Sequence, residues 1–490
     1  MSAAVPSKET PIAPIELSVA QPTRLRGNLG SVQLFFTVVA YNAPLAVVVG
    51  FIPVIIGFGN GLGAPVMLLV AGLIIGAFAV GFTAMSRHLD KPGGFYSYIT
   101  AGLGRVVGLG SSFMATVSYY FALIGCYAFG GLALQSLVRD TFNGPNVTWW
   151  VWMLGLQAIA AVLGYFRLDL SARVLSVLLS CEIVVVLIYD ACVAFKGGAA
   201  GLHVADSFTP HAVFSGSIGI ALLFALTMFG GFESTAIFRD EVRRPHRTIP
   251  RTTYVVVAFI AVFYALCTLL FIQAYGAGHV VSATATNPTG SVLASFQAYG
   301  GRFVVDMATV LLNTSIFAAA LSAHNITTRY FYNLSSDRIL PKLLSQVHSH
   351  HGSPHRASIA TSILALVGMA PMVIFKANPL TLYAILLGIY GYTLIAMLAV
   401  TSLAVLIYLR RHQPVGTTPW NSIITPIFAF IGLGLATYLG TVDFDVLIGG
   451  STAWVTIILV GFYAVGLAGV TLAAIYRKTR PEVYARIGRQ

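Results

Sequence analysis

Between residues 31 and 476 the chain passes through twelve apolar runs, at about 31–56, 64–87, 106–138, 148–167, 171–195, 216–239, 252–276, 302–332, 357–376, 379–409, 420–440 and 451–476. Each can cross the ~30 Å hydrocarbon core of a bilayer, which takes about 20 helical residues. Few folds are open to such a chain, because every backbone polar group in lipid must find its partner within the protein, and helices do this locally. Composition agrees: 57% of the 490 residues are hydrophobic and 9% charged, against about 25% charged in soluble domains. No connection between the runs is long enough for a soluble domain. The expected fold is an all-α polytopic membrane protein with twelve transmembrane helices.

The formal charge of +12 does not point to nucleic acid, since the basic residues are scattered over short connections. With residues 1–28 read as a flexible cytoplasmic tail, 24 of the 28 Lys and Arg residues fall on inside segments; Arg139, Lys196, Arg302 and Lys376 fall outside. Positive charge collects on the cytoplasmic side of membrane proteins. The expected location is therefore the plasma membrane, multi-pass, with both termini cytoplasmic. Cys126, Cys181, Cys192 and Cys267 lie inside apolar runs without ligand spacing and read as packing residues, with no metal site.

Two spans are interrupted. The sixth reads SGSIGIALLFALTMFGGFESTAIF and carries Gly230-Gly231 and Glu233 in its second half; each glycine weakens a helix by about 1 kcal/mol relative to alanine. The first carries Pro44 near its middle, which removes a helical hydrogen bond from the carbonyl of Ala40 and turns Ala43 from helical angles. Alone, the glycines fit a close helix crossing and the proline fits a kink. Their spacing decides, for each opens a group of five spans, and five is odd, so the second group runs inverted. Interrupted spans at matching positions of inverted repeats mark a transporter's binding site. The expected organisation is a first repeat over 29–215, a second over 216–410, and helices eleven and twelve with the C-terminus over 411–490.

Three connections carry a resemblance. They are Lys91-Pro92-Gly93-Gly94-Phe95-Tyr96-Ser97-Tyr98 after span two; Gly230-Gly231-Phe232-Glu233 with Asp240-Glu241, Pro245, Arg247 and Ile249-Pro250-Arg251 after span six; and Arg329-Tyr330-Phe331-Tyr332 with Ser336-Asp337-Arg338-Ile339-Leu340-Pro341 after span eight. These resemble the elements of amino acid–polyamine–organocation (APC) permeases across spans one to ten. The resemblance implies a LeuT-like five-plus-five inverted repeat with broken helices 1 and 6, alternating access and secondary active transport, with no cofactor and no ATP. Two departures stand out. Span one has Ala40-Tyr41-Asn42-Ala43-Pro44 where many relatives have a glycine-rich break, and span five has Glu182 where some proton-coupled relatives have a lysine.

Half-helix N-termini suit a carboxylate and freed carbonyls suit an ammonium, so an α-amino acid satisfies both ends of such breaks. The expected substrate ligands are Tyr41, Asn42, Ala43, Phe229, Gly230, Gly231 and Phe232, with Asn42 equally suited to capping the half-helix. Tyr119, Tyr120 and Tyr390 are candidates for walling or gating the pocket, and Asn313 and Ser315 for polar ligands near the first break. Asp190, Asp306 and His324 sit toward span ends and read as structural. Glu233 is the expected coupling site for a proton, since a carboxylate wet in one facing state and dry in the other changes its proton affinity between them; Glu182 is the next candidate. Alternatives are a polyamine or organic-cation transporter, which needs extra carboxylates in the pocket, an amino acid exchanger, and a transporter-like sensor.

Overall fold

The computed structural model describes residues 30–89, 94–166, 172–233, 235, 242–348, 353–448 and 452–488, which are helical with no strand among them. The tail over 1–28, Lys91-Pro92-Gly93, Asp240-Glu241 and residues 234 and 236–239 of span six lie outside the described residues. Eleven helices are long and apolar enough to cross a membrane, and the short apolar helix Ile218–Thr227 is the remaining member of the expected twelve.

Span one is two helices. Ser31–Asn42 ends at Ala43, whose φ of 51° and ψ of 74° lie in the left-handed region, and Pro44–Gly50 begins with the proline at its first position. Proline suits that position because the N–H it lacks would be unpaired there anyway. The Ala40 carbonyl, expected to lose its donor, instead accepts a 3.2 Å bond from the N–H of Ala43, which also reaches Val39 O at 3.0 Å. The chain tightens at the break, and its amide turns back to cover the freed carbonyls. In span six, Ser217 accepts from the N–H of Ile220 at 3.1 Å and starts Ile218–Thr227. Residues 228–233 then leave the helix as turns, closed by Phe229 N–H to Leu226 O at 3.1 Å and Gly230 N–H to Thr227 O at 2.9 Å.

The connection between spans seven and eight, read from sequence as a loop, holds helix Val280–Thr286 and a second helix from Pro288 that runs on into span eight across a break at Gly301, φ 77°. Asn287 caps the second by accepting from Gly290 N–H at 3.1 Å. Asn before Pro is a helix-start signal, here too short and too polar to register as a span. Val280–Thr286 presses on the π-helical segment Ile55–Asn60, where a Cβ on Gly57 would stand 2.7 Å from the Ala285 nitrogen.

At the opposite end two of the resembling connections meet. The Tyr96 hydroxyl donates to Asp337 Oδ2 at 2.6 Å, and the Gly488 N–H donates to both, at 2.8 and 3.1 Å. Asp337 is buried, and so is Ile487 beside Leu109, Leu334 and Ala473. Helix Gly94–Leu103, the end of span eight and the C-terminal residues are thereby fastened together. Burial and the adjoining carboxylate hold the Tyr96 phenol well above its usual pKa, so it remains a donor at any physiological pH. Asp337→Ala strands a hydroxyl and an amide; unpaired buried groups cost about 1–3 kcal/mol each. The thermal midpoint of the detergent-solubilised protein should fall by several degrees, and an unchanged midpoint would mean the junction contributes nothing. For orientation, Asp206 and Gln346 are exposed on opposite-end connections. Asp206→Cys should react with an impermeant thiol reagent on intact cells and Gln346→Cys should not; the reverse pattern inverts the topology.

Candidate substrate site at the two helix breaks

The two breaks are tied to each other by Asn42. Its Nδ2 donates to the carbonyl of Met228 in the span-six break, and its Oδ1 accepts from the Tyr264 hydroxyl of span seven. Both ends of the amide are occupied, so Asn42 acts as a clamp between breaks. Each break also carries a buried carboxylate against a backbone N–H. Glu182 Oε2 accepts from Leu45 N–H at 3.3 Å, at the start of the second half of span one, and from Ser315 Oγ of span eight at 2.7 Å. Glu233 Oε2 accepts from Gly231 N–H at 3.0 Å, and its Oε1 accepts from the Tyr119 hydroxyl of span three.

Between the breaks is a cavity of about 60 Å³. Span one contributes Tyr41, Asn42, Ala43, Ala46, Val47 and Phe51, and span six contributes Thr227 and Gly230. The facing wall is Ala122, Cys126 and Phe129 of span three, Ile316 and Ala319 of span eight, and Leu387 and Tyr390 of span ten. Its lining residues include no ionisable acid or base other than a thiol and two phenols. Tyrosines close one side: Tyr41 donates to the Tyr390 hydroxyl at 3.0 Å, and the Tyr119 ring lies 6.3 Å from both and stacks on Tyr330 at 5.6 Å.

Of the expected ligands, Tyr41, Asn42, Ala43 and Gly230 line this cavity, as does Tyr390. Gly231 is packed beneath it, φ 95°, against the Tyr41 ring. Phe229 and Phe232 face away from it. Phe229 reaches toward Gly72 of span two, and Phe232 sets its ring edge-on to Phe78 and Phe82 at 5.6 and 6.2 Å. Residues 228–233 are turns, so the helical period cannot say which way a side chain there points. Tyr119 meets Glu233, and Tyr120 donates to Leu364 O at 3.2 Å, outside the site. Asn313 bonds Thr309 O and Ala133 O, at 2.9 and 3.4 Å, and takes no part in the break; Ser315 does, through Glu182. Asp306 pairs with Arg302 at 3.0 Å and His324 with Ser358 at 3.0 Å, both structural, and Asp190 is buried in the bundle. Cys126, read as packing, faces the cavity. Most of the wall is apolar residues that nothing in the sequence distinguishes from core.

Interrupted first and sixth spans, meeting around a buried cavity within twelve apolar helices, define a membrane transporter of the LeuT-like class. The fold is shared with a manganese transporter of Eremococcus coleocola, at a TM-score of 0.57 and 12% identity over 93% of this chain and 94% of that one. The chain belongs to the amino acid permease family, which matches it over residues 29–463. It is similar to the aromatic amino acid transport protein AroP of Escherichia coli O6:H1, 24% identical over 77% of this chain and 84% of the relative. It is also similar to the vacuolar cationic amino acid transporter 4 of Arabidopsis thaliana, 21% identical over 75% and 64%.

Gly231 tests the break directly. A Cβ there would stand 2.2 Å from Tyr41 Cδ1, on a residue whose φ disfavours any side chain. Gly231→Ala should leave the protein inserted and folded but reduce uptake to background; near-normal uptake would show that the packing of Gly231 on Tyr41 is dispensable.

Proposed function

We infer that this permease carries neutral amino acids with apolar side chains by alternating access, in symport with a proton, across the plasma membrane with both termini in the cytoplasm. The observation that carries the reading is the cavity at the two breaks, walled by apolar groups and free of any carboxylate, lysine, arginine or histidine. The α-carboxylate is drawn to the positive dipole end of helix Pro44–Gly50 at the Ala46 amide, the neighbouring Leu45 N–H being held by Glu182, and the ammonium to the carbonyls of Gly230 and Gly231 rather than to Met228 O, which Asn42 covers. The side chain then lies among Val47, Ile316, Ala319 and Leu387.

A polyamine or organic cation is disfavoured, because Glu182 and Glu233 do not line the cavity and each is already bonded to a backbone amide. The same holds for cationic amino acids, the class named for one relative. In this reading residues 29–215 and 216–410 are the inverted repeats, and Tyr41, Tyr119 and Tyr390 form the gate on the side of Glu233.

Glu233 is the proposed coupling site. Its partner Tyr119 belongs to span three, so parting the gate exposes the carboxylate to water, and closing it dries the carboxylate again. Uptake by purified protein in liposomes tests the whole reading. Alanine, valine and leucine should be accumulated under an inward proton gradient, while arginine and putrescine should neither enter nor compete. Glu233→Gln should still exchange internal for external substrate but no longer accumulate it; normal accumulation would move the coupling site elsewhere, with Glu182 next.

A further inference from the structure

A second cavity lies away from the breaks, at the end of the bundle where basic residues collect. It encloses about 500 Å³ between the end of span two, the start of span seven and the start of span eleven. Its rim carries Arg87, His88 and His246; its inner wall is Val80, Thr83, Ala84 and Tyr254; and Trp420 closes its outer side. Among the described residues its lining includes no carboxylate. We propose that this crevice binds the phosphodiester headgroup of an anionic phospholipid.

Depth, charge and shape support this together. Span two is the helix Ala64–Ser86, and Arg87 is the first residue beyond it, so its guanidinium stands where the hydrocarbon core ends. Arg87 and His246 are exposed, and Arg243, Arg244 and Arg247 are exposed on the same approach. A guanidinium fork with adjacent imidazoles matches phosphate oxygens in geometry and sign. One turn deeper, the hydroxyls of Thr83 and Tyr254 share a hydrogen bond of 2.9 Å, and Thr83 also reaches Val80 O at 3.2 Å, which leaves at most one hydroxyl hydrogen for a phosphate oxygen. Below them the wall turns apolar, and Trp420 is 60% exposed, as aromatic residues are at the membrane–water boundary. A free phosphate would use only the rim. A lipid uses the rim for its headgroup and the apolar wall for the start of its acyl chains, so the observations favour a lipid.

Basic residues near a membrane surface each contribute about 1 kcal/mol toward anionic lipid, a factor of roughly five in affinity. The full-length protein in neutral detergent should show a rise in thermal midpoint on titration with phosphatidylglycerol, and a much smaller one with phosphatidylcholine or inorganic phosphate. Arg87→Gln should weaken the apparent phosphatidylglycerol affinity roughly fivefold, and Arg87→Gln with His246→Gln more, with amino acid uptake in phosphatidylcholine liposomes unchanged. Lys342→Gln, exposed on the same end but outside the crevice, should respond as the unaltered protein does. An unchanged affinity in the double variant, or an equal loss in Lys342→Gln, would overturn the site in favour of diffuse surface charge. A full response to inorganic phosphate alone would overturn the lipid assignment.

Discussion

The amide of Asn42 holds the centre of this protein together. A helix broken in mid-membrane frees carbonyls and amides in a place without water to satisfy them, and such groups cost several kcal/mol each if left unpaired. Here side chains close both breaks. Asn42 covers Met228 O and is itself held by Tyr264; Glu182 covers Leu45 N–H; and Glu233 reaches back to Gly231 N–H. The buried acids are therefore part of how the broken backbone is tolerated. Removing one leaves a backbone group exposed to the cavity as well as losing a carboxylate. Transport and stability effects at these positions are coupled for that reason.

This pairing also explains why the cavity is so apolar. Polar side chains near the breaks are consumed in satisfying backbone, and what remains to face the space is aliphatic or aromatic, with Thr227 the chief exception, its hydroxyl turned onto Leu223 O at 2.6 Å. In the proposed reading, recognition of a zwitterion falls on main-chain groups, which are the same for every amino acid, and discrimination on the walls from spans three, eight and ten, where a change of one methylene is worth roughly 1–3 kcal/mol.

Much of this was legible in the chain. Pro44 and Gly230-Gly231 marked the interruptions because proline and paired glycine act through the backbone, and backbone effects are local. The twelve spans followed from length and hydropathy for the same reason. What could not be read was direction and partnership. Phe229 and Phe232 flank Gly230-Gly231, yet both turn toward span two, since turns carry no period from which a face can be inferred. Asn42 was equally suited to a cap or to a ligand, and its actual partners are 186 and 222 residues away in sequence. The helices at Val280–Thr286 and Pro288 onward escaped notice because short, small-residue segments resemble loops until something packs on them.

The two buried carboxylates differ in what surrounds them, and the difference bears on which can respond to transport. Both hydrogen bonds found for Glu182 converge on one oxygen, from Leu45 and Ser315, in the interior between spans one, five and eight. Glu233 has both oxygens engaged, one by its own break and one by Tyr119, a member of the tyrosine group that closes the cavity. If that group parts, Glu233 loses a donor and gains water in one movement. Glu182 keeps its backbone partner so long as the second half of span one stays seated. In the proposed reading a proton bound at Glu233 is linked to the gate by a direct hydrogen bond, and the linkage needs no relay through intervening side chains. Differential affinity between facing states is the thermodynamic requirement for coupling, and in that reading Glu233, unlike Glu182, has a partner whose departure is itself the opening.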